Sequence, residues 1–256
     1  MPNIDKHAPG SFCWIELATT DSPSAKKFYT ELFGWTPDDN PMGPGMTYTI
    51  WKLQGRDAGA MYEQMADQKQ QGIPPHWLIY MATDNVDSTV AQGKALGFNV
   101  LAGPFDVMDK GRMAVVADPQ GATFGLWQSM SHTGTGIQGV PGSFCWAELA
   151  ASDVAAARES YEKLFGWTFK VSPEYSEILL GGNSIGGFMA NNPEWGAPPH
   201  WGGYFMVTSC DDSTAKAKSL GGKVLLEPMD IPNTGRFSVI SDPQGATFML
   251  FQPQMG

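Results

Sequence analysis

The stretch PGSFCWIELATTD at residues 9–21 returns almost unchanged as PGSFCWAELAASD at residues 141–153. Ten of the thirteen positions are identical, and the second copy begins 132 residues after the first. Each copy alternates along its middle and is bounded by Pro-Gly and by a cluster of Thr, Ser and Asp, which is typical of a β-strand. Each copy also carries one glutamate, Glu16 or Glu148, among apolar neighbours. A glutamate that is repeated inside an apolar strand indicates a structural or a chemical role.

The repeat extends along nearly the whole chain. FYTELFGW at residues 28–35 matches SYEKLFGW at residues 160–167, and GRMAVVADPQGATF at residues 111–124 matches GRFSVISDPQGATF at residues 235–248. The tetrapeptide PPHW also occurs once in each half. An internal repeat of this length predicts two domains of the same fold.

Each half contains two rounds of one pattern. An alternating strand is followed by a helix, which Gly34 ends in the first round, and then by short strands. The pattern restarts with HWLIYMA at residues 76–82. We therefore predict an α+β fold of four βαβββ units, arranged as two tandem domains at residues 8–131 and 141–256, with helices on the outer faces of curved mixed sheets.

Charge and composition exclude several classes of partner. The net charge is −10 and the chain has no basic cluster, so we expect neither nucleic acid nor an anionic membrane as a partner. No apolar run approaches the ~20 residues of a membrane span, and the N-terminal residues lack the pattern of a signal peptide. Three cysteines, Cys13, Cys145 and Cys210, cannot all pair, so we expect a reduced, cytoplasmic protein.

Four βαβββ units, with the FYTELFGW helix motif and the DPQGATF turn before each last strand, resemble the vicinal oxygen chelate superfamily. That superfamily includes glyoxalase I, bleomycin-resistance proteins, fosfomycin-resistance enzymes and extradiol dioxygenases. The resemblance covers residues 10–130 and 142–253. It implies that the two units of each half curl into one half-open barrel around a cavity that binds a small molecule.

The resemblance also implies where metal ligands would stand in metal-dependent members. Carried over by position, they fall on side chains that do not ligate hard divalent ions: Trp14, Leu78 and Gly125 in the first half, and Trp146, Gly202 and Met249 in the second. We therefore expect no cofactor at the usual place, while a divalent metal at a non-standard site stays open. Glyoxalase I chemistry and extradiol cleavage both rest on such an ion.

Polar side chains lie two positions from these sites and so share their faces of the strands. They are Glu16 and His76 in the first half, and Glu148 and His200 in the second. In the family the first strands of the two units run antiparallel, which would let each glutamate meet its histidine. Such pairs are candidate catalytic groups, since a carboxylate orients an imidazole and raises its pKa. The alternative is purely structural: glutamates bound by backbone or Trp groups, and half-exposed edge histidines.

Aromatic residues on the same faces are candidate substrate-binding groups: Trp14, Tyr80, Trp146 and Tyr204. Packing is an equally good reason for the two tyrosines. The segment TPDDNPMGPGMT at residues 36–47, shortened in the second half, is predicted as a loop, either a lid over the first cavity or a tolerated insertion.

The leading interpretation is an enzyme that binds a small carbonyl or enolisable compound and uses Glu/His acid–base chemistry without the usual family metal. One alternative is a protein that sequesters an aromatic drug or metabolite, as bleomycin-resistance proteins do. Another is a metal-dependent lyase or dioxygenase with shifted ligands. The expected partner is a small molecule, and a homodimer stays open.

Overall fold

The computed structural model describes residues 3–254, which form two eight-stranded sheets. The strands of the first sheet are β1 (Phe12–Thr19), β2 (Thr36–Gly43), β3 (Met46–Leu53), β4 (Arg56–Glu63), β5 (His76–Ala82), β6 (Asn99–Val107), β7 (Gly111–Ala117) and β8 (Thr123–Ser129). The strands of the second sheet are β9 (Phe144–Ala151), β10 (Thr168–Val171), β11 (Ser176–Leu180), β12 (Asn183–Ala190), β13 (His200–Met206), β14 (Lys223–Ile231), β15 (Gly235–Ser241) and β16 (Thr247–Pro253). The α-helices are α1 (Ser22–Phe33), α2 (Ala66–Gln70), α3 (Val86–Ala95), α4 (Val154–Phe165) and α5 (Cys210–Ser219).

The two sheets have equivalent strand orders, β2-β3-β4-β1-β5-β8-β7-β6 and β10-β11-β12-β9-β13-β16-β15-β14. The central pairs β1–β5 and β9–β13 are antiparallel, and each is flanked by parallel pairs. Each βαβββ unit therefore supplies half of an unclosed sheet, which confirms the predicted α+β fold of two tandem domains. The boundaries 8–131 and 141–256 remain a prediction, and the last two residues of the second range lie outside the described residues.

The prediction of a loop at residues 36–47 is wrong. Strand β2 occupies most of this segment and pairs antiparallel with β3, with Asp39 opposite Thr49. All eight residues of β2 are exposed, so the segment lacks the apolar alternation by which strands are recognised. The strand lies at the edge of the sheet, where Pro37 and Pro41 are tolerated because one side of the backbone needs no partner.

The helices lie on the outer faces of the sheets, where the two halves meet. Helix α1 packs on α5 and α3 packs on α4, so each contact joins a helix of the first half to one of the second. Phe12 of β1 packs its ring against Trp167 and Trp201 of the other half, at centroid distances of 5.6 and 5.3 Å. One continuous hydrophobic core therefore extends through both domains.

Two matching hydrogen bonds cross this interface. The Tyr29 hydroxyl donates to Asp242 at 2.9 Å, and the Tyr161 hydroxyl donates to Asp118 at 3.2 Å. Each tyrosine stands in the FYTELFGW-like helix motif of one half, and each aspartate opens the DPQG turn of the other half. The contact between domains thus gives both repeated motifs a structural role. Among residues 3–254, no helix is long and apolar enough to cross a membrane.

Candidate active site in two half-open barrels

Side chains of the central strands alternate between the two faces of each sheet. One face is covered by the helices, and the opposite face is the inner face. In β1, Ile15 and Leu17 belong to the core beneath the helices, while Trp14 belongs to a separate apolar cluster on the inner face. Glu16 alternates with Ile15 and Leu17 and therefore faces inward as well. We call the inner face around Glu16 the first cup, and the inner face around Glu148 in the second sheet the second cup.

The carboxylate of Glu16 is held by two tyrosines. The Tyr48 hydroxyl donates to Oε2 at 2.5 Å, and the Tyr80 hydroxyl donates to Oε1 at 3.1 Å. The indole N–H of Trp14 donates to the Tyr48 oxygen at 3.2 Å. Burial raises the pKa of Glu16 above its ordinary value of 4.5, and the two tyrosine hydrogen bonds offset this only in part. The first cup therefore contains a carboxyl group that binds a proton more readily than an exposed glutamate.

The second cup repeats this arrangement with one difference. Tyr204 donates to Oε1 of Glu148 at 2.8 Å, and the indole N–H of Trp146 donates to the Tyr175 hydroxyl at 2.9 Å. Burial raises the pKa of Glu148, and Tyr204 and Tyr175, which both approach the carboxylate, offset this only in part. Within residues 3–254, the one side-chain hydrogen bond of ordinary geometry to the Glu148 carboxylate comes from Tyr204. The second carboxylate oxygen is thus free of such a partner.

The histidines stand at the starts of β5 and β13 and do not bond to the glutamates. Nδ1 of His76 donates to the Pro74 carbonyl at 2.8 Å, and Nδ1 of His200 donates to the Pro198 carbonyl at the same distance. The register pairs His76 with Ala18, one step along the inner face from Glu16. The expected glutamate–histidine hydrogen bond is therefore wrong for the described residues, because tyrosine hydroxyls take the carboxylate oxygens instead.

The second ring nitrogen of each histidine, Nε2, takes no part in this contact with the proline carbonyl. A carbonyl oxygen only accepts, so Nδ1 carries the proton in the neutral ring and Nε2 is the acceptor. The structure thus places His76 and His200 at the rims of the cups.

Sequence reasoning missed the two tyrosines that approach the glutamates from β3 and from just before β11, Tyr48 and Tyr175. They occupy matching positions of the repeat. Tyr48 pairs with Tyr62, which lies two residues beyond Ala60, the partner of Glu16 in β4. Strand alternation applied across β3 and β4 could therefore have placed Tyr48 on the face of Glu16.

The two cysteines of the repeated stretch act as small buried side chains. Burial raises the pKa of the Cys13 thiol, and it raises the pKa of the Cys145 thiol to about 12. Their sulfurs contact the carbonyl oxygens of Tyr80 and Tyr204. Neither thiol has the lowered pKa of a nucleophilic cysteine.

The positions that would ligate a metal in metal-dependent relatives are either glycines crowded by neighbouring side chains or apolar side chains. A Cβ added at Gly125 would lie 2.1 Å from the Tyr80 ring, and one added at Gly202 would lie 2.5 Å from Cε of Met249. Trp14 and Leu78 are buried apolar side chains. Within residues 3–254, no three His, Cys, Asp or Glu side chains converge as a metal site. The donor set of these cups does not fit the several N and O ligands that a divalent ion needs.

Four βαβββ units and two half-open sheets, each with a glutamate on the inner face of its central strand, define a tandem glyoxalase-like protein. The model of the Glyoxalase/Bleomycin resistance protein/Dioxygenase superfamily matches residues 11–126 and 143–250. The chain belongs to this superfamily.

Relatives extend over the same length. The chain is 40% identical over 259 residues to "Putative glyoxylase CFP32" of Mycobacterium tuberculosis, covering 99% of this chain and 98% of that protein. It is 32% identical over 273 residues to the anthracycline biosynthesis protein DnrV of Streptomyces peucetius, covering 99% and 97%. The Mn(II)-bound glyoxalase of Novosphingobium aromaticivorans shares the fold with a TM-score of 0.67 at 16% identity, covering 98% of this chain and 83% of that one.

Proposed function

We propose that the protein is an enzyme that acts on a small carbonyl or enolisable compound by acid–base chemistry at the buried glutamates. One observation supports this most: each cup holds a carboxyl group whose pKa is raised by burial and whose position is fixed by tyrosine hydroxyls. A carboxyl group with a raised pKa exchanges protons closer to neutral pH, which suits general acid–base catalysis.

The proposed step uses only groups of this chain. A glutamate, Glu16 or Glu148, takes the proton from the carbon next to the carbonyl group, and the electron pair of the C–H bond moves to give an enolate. The same carboxyl group then returns the proton to carbon or to oxygen, so that no other reactant is consumed. His76 and His200, with Nε2 free to accept, would exchange protons between the cup and solvent. Trp14, Tyr80, Trp146 and Tyr204 would form the walls against which the substrate lies.

We further propose that this chemistry needs no bound metal, because the residues at the family's ligand positions are apolar. Protein purified without chelators should carry less than one equivalent of Zn, Ni, Fe or Mn by elemental analysis. Prolonged EDTA treatment should leave both the thermal midpoint and the turnover unchanged. A tightly held equivalent whose removal abolishes turnover would favour a metal-dependent lyase or dioxygenase with shifted ligands.

A second candidate function is sequestration of an aromatic metabolite or drug. The aromatic inner faces support it, as does the name of a relative, anthracycline biosynthesis protein DnrV. In that case the glutamates would bind rather than react. The resemblance in length and identity to a protein named as a glyoxylase supports the enzyme instead.

Exchange of α-protons for deuterium separates the two functions even for an unidentified substrate. A panel of small ketones and hydroxyketones is incubated with the protein in D₂O and followed by NMR. We expect faster exchange for at least one compound, and a loss of about 10²–10⁴-fold in Glu148→Gln or His200→Ala, or in Glu16→Gln or His76→Ala if the first cup reacts. Exchange that is equal in wild type and in all four variants would reject the acid–base role.

A homodimer and a cytoplasmic location belong to the same proposal. The three cysteines are all free, which supports a reducing compartment. Light scattering over a range of protein concentrations tests the dimer.

A further inference from the structure

The segment between the two halves covers one cup. We call residues 130–137 the strap. The ring of His132 in the strap packs edge-on against Trp14 at a centroid distance of 4.7 Å and an angle of 87°. Its Nε2 lies 3.2 Å from Asp57 Oδ2, and the indole N–H of Trp127 donates to its carbonyl at 3.0 Å. The strap therefore lies on the aromatic wall of the first cup.

Backbone contacts hold the strap close to β1. Thr135 N–H donates to the Cys13 carbonyl at 2.8 Å, and Gly136 N–H donates to the Asp57 carbonyl at 2.7 Å. At Gly134, which has φ of 116°, an added Cβ would lie 2.2 Å from the Cys13 carbonyl oxygen. Only glycine lets the backbone approach this closely, so the position of the strap is built into the sequence.

The second cup is more open at the same positions. Trp14 is only 5% exposed, whereas its counterpart Trp146 is partly exposed and, within residues 3–254, has no aromatic ring packed on it as His132 packs on Trp14. Gly202 stands where the first cup has Leu78, and the space above it is taken by the flexible side chain of Met249. A methionine can move aside more easily than a branched or aromatic side chain.

The hydrogen bonds of the two glutamates also differ between the first and the second cup. Both oxygens of Glu16 accept tyrosine hydroxyls, whereas Glu148 has one oxygen with no hydrogen bond of ordinary geometry. A ligand hydroxyl could thus bond to a Glu148 oxygen that holds no tyrosine hydroxyl at ordinary geometry, whereas at Glu16 it would have to share an oxygen with a tyrosine.

We propose that the second cup alone takes the ligand, and that the ligand is a planar apolar molecule with a hydroxyl donor, such as a phenol or an enol. The hydroxyl would donate to the free oxygen of Glu148. The planar body would lie on Trp146, near the partly exposed rings of Phe237 and Phe251, which share the inner face of Tyr204. This proposal deepens the proposed function and rests on it, since it names the reacting cup and the class of compound.

Titration calorimetry with 2-naphthol and with naphthalene tests the assignment. Wild-type protein should bind one 2-naphthol per chain and should bind naphthalene about tenfold more weakly, the usual effect of one buried hydrogen bond. Glu148→Leu should remove that preference for the hydroxyl. Trp146→Ala should abolish the single site, while Trp195→Ala, which removes an exposed tryptophan of the same half, should leave it intact. Circular dichroism and thermal midpoints show that each variant is folded.

Several results would overturn the assignment. Two sites per chain would show that the second cup is not alone in binding the ligand, and one site that survives Trp146→Ala would place the ligand outside the second cup. No saturable binding of 2-naphthol would reject the class of ligand. These failures differ from failure of the acid–base proposal, because 2-naphthol bound in the second cup with no Glu148-dependent proton exchange would leave the site assigned and only the chemistry rejected.

Discussion

At the scale of single residues, the glutamates of the repeated stretch are the informative positions. The sequence placed Glu16 and Glu148 on an inner strand face, and the structure agrees. It placed Tyr80 and Tyr204 on the same faces but missed Tyr48 and Tyr175, because finding them requires the register of further strands and not only the alternation within the repeated stretch. Burial raises the pKa of both carboxyl groups, so their protonation should affect stability in a measurable way.

Replacement of Glu16 by glutamine should stabilise the protein more as the pH rises. The pKa of Glu16 is higher in the folded than in the unfolded chain, so its favourable contribution is complete below the unfolded value of 4.5 and is lost as the pH rises through the folded pKa. The amide introduced by Glu16→Gln stays neutral throughout. Denaturant unfolding of both proteins between about pH 4 and 8 should show a growing advantage of the variant.

Glu159→Gln is the matched control. Glu159 is exposed, and Lys163 lowers its pKa, so removing its charge should have a small effect of opposite sign above pH 4.5. A stability difference for Glu16→Gln that does not change with pH would show that the buried carboxyl group titrates like an exposed one.

At the scale of helices and strands, the sequence predicted regular elements best where burial imposes a pattern. Strand β1 and helix α1 stand where the alternation and Gly34 indicated. Strand β2 was missed because its side chains are all exposed and only backbone pairing defines it. The DPQG turn and the FYTELFGW helix were recognised as motifs, but their direct contact across the halves follows only from the three-dimensional packing.

Loss of the Tyr29 hydroxyl should destabilise the protein by about 1–3 kcal/mol. This hydroxyl donates to Asp242 and accepts the indole N–H of Trp77 at 3.1 Å, so Tyr29→Phe leaves a buried N–H without a partner. Tyr62→Phe, which removes a partly exposed hydroxyl bonded to Gln68, should cost less. Chemical denaturation measures both, and equal losses would contradict the role assigned to the contact between halves.

At the scale of the whole molecule, the repeat predicted two domains but not their dependence on each other. The aromatic core runs through both halves. Phe12 of β1, in the first half, contacts Trp167 of the second half within this core. Sequence repetition identifies equivalent elements, whereas the shared interface depends on which outer faces meet. The covering of one cup by the strap was likewise beyond sequence reasoning, since it depends on where a linker lies.

The second half alone, residues 141–256, should not form a stable monomer. Its outer face would expose Tyr161, Trp167 and Trp201, which are buried in the whole chain. We expect the isolated half to aggregate or to form dimers, as measured by size-exclusion chromatography with light scattering. A monomeric half with a cooperative unfolding transition would show that the shared core is not needed for folding.

The pH profile of α-proton exchange tests the central claim, that a buried glutamate of the cups is the catalytic base, most directly. Using the compound that wild-type protein exchanges fastest, the rate should rise with pH as the carboxyl group loses its proton, with its midpoint above 4.5 because burial raises the pKa of Glu148. Glu148→Gln should lower the rate by about 10²–10⁴-fold and remove this inflection. A profile with the same midpoint and amplitude in wild type and Glu148→Gln would contradict the account.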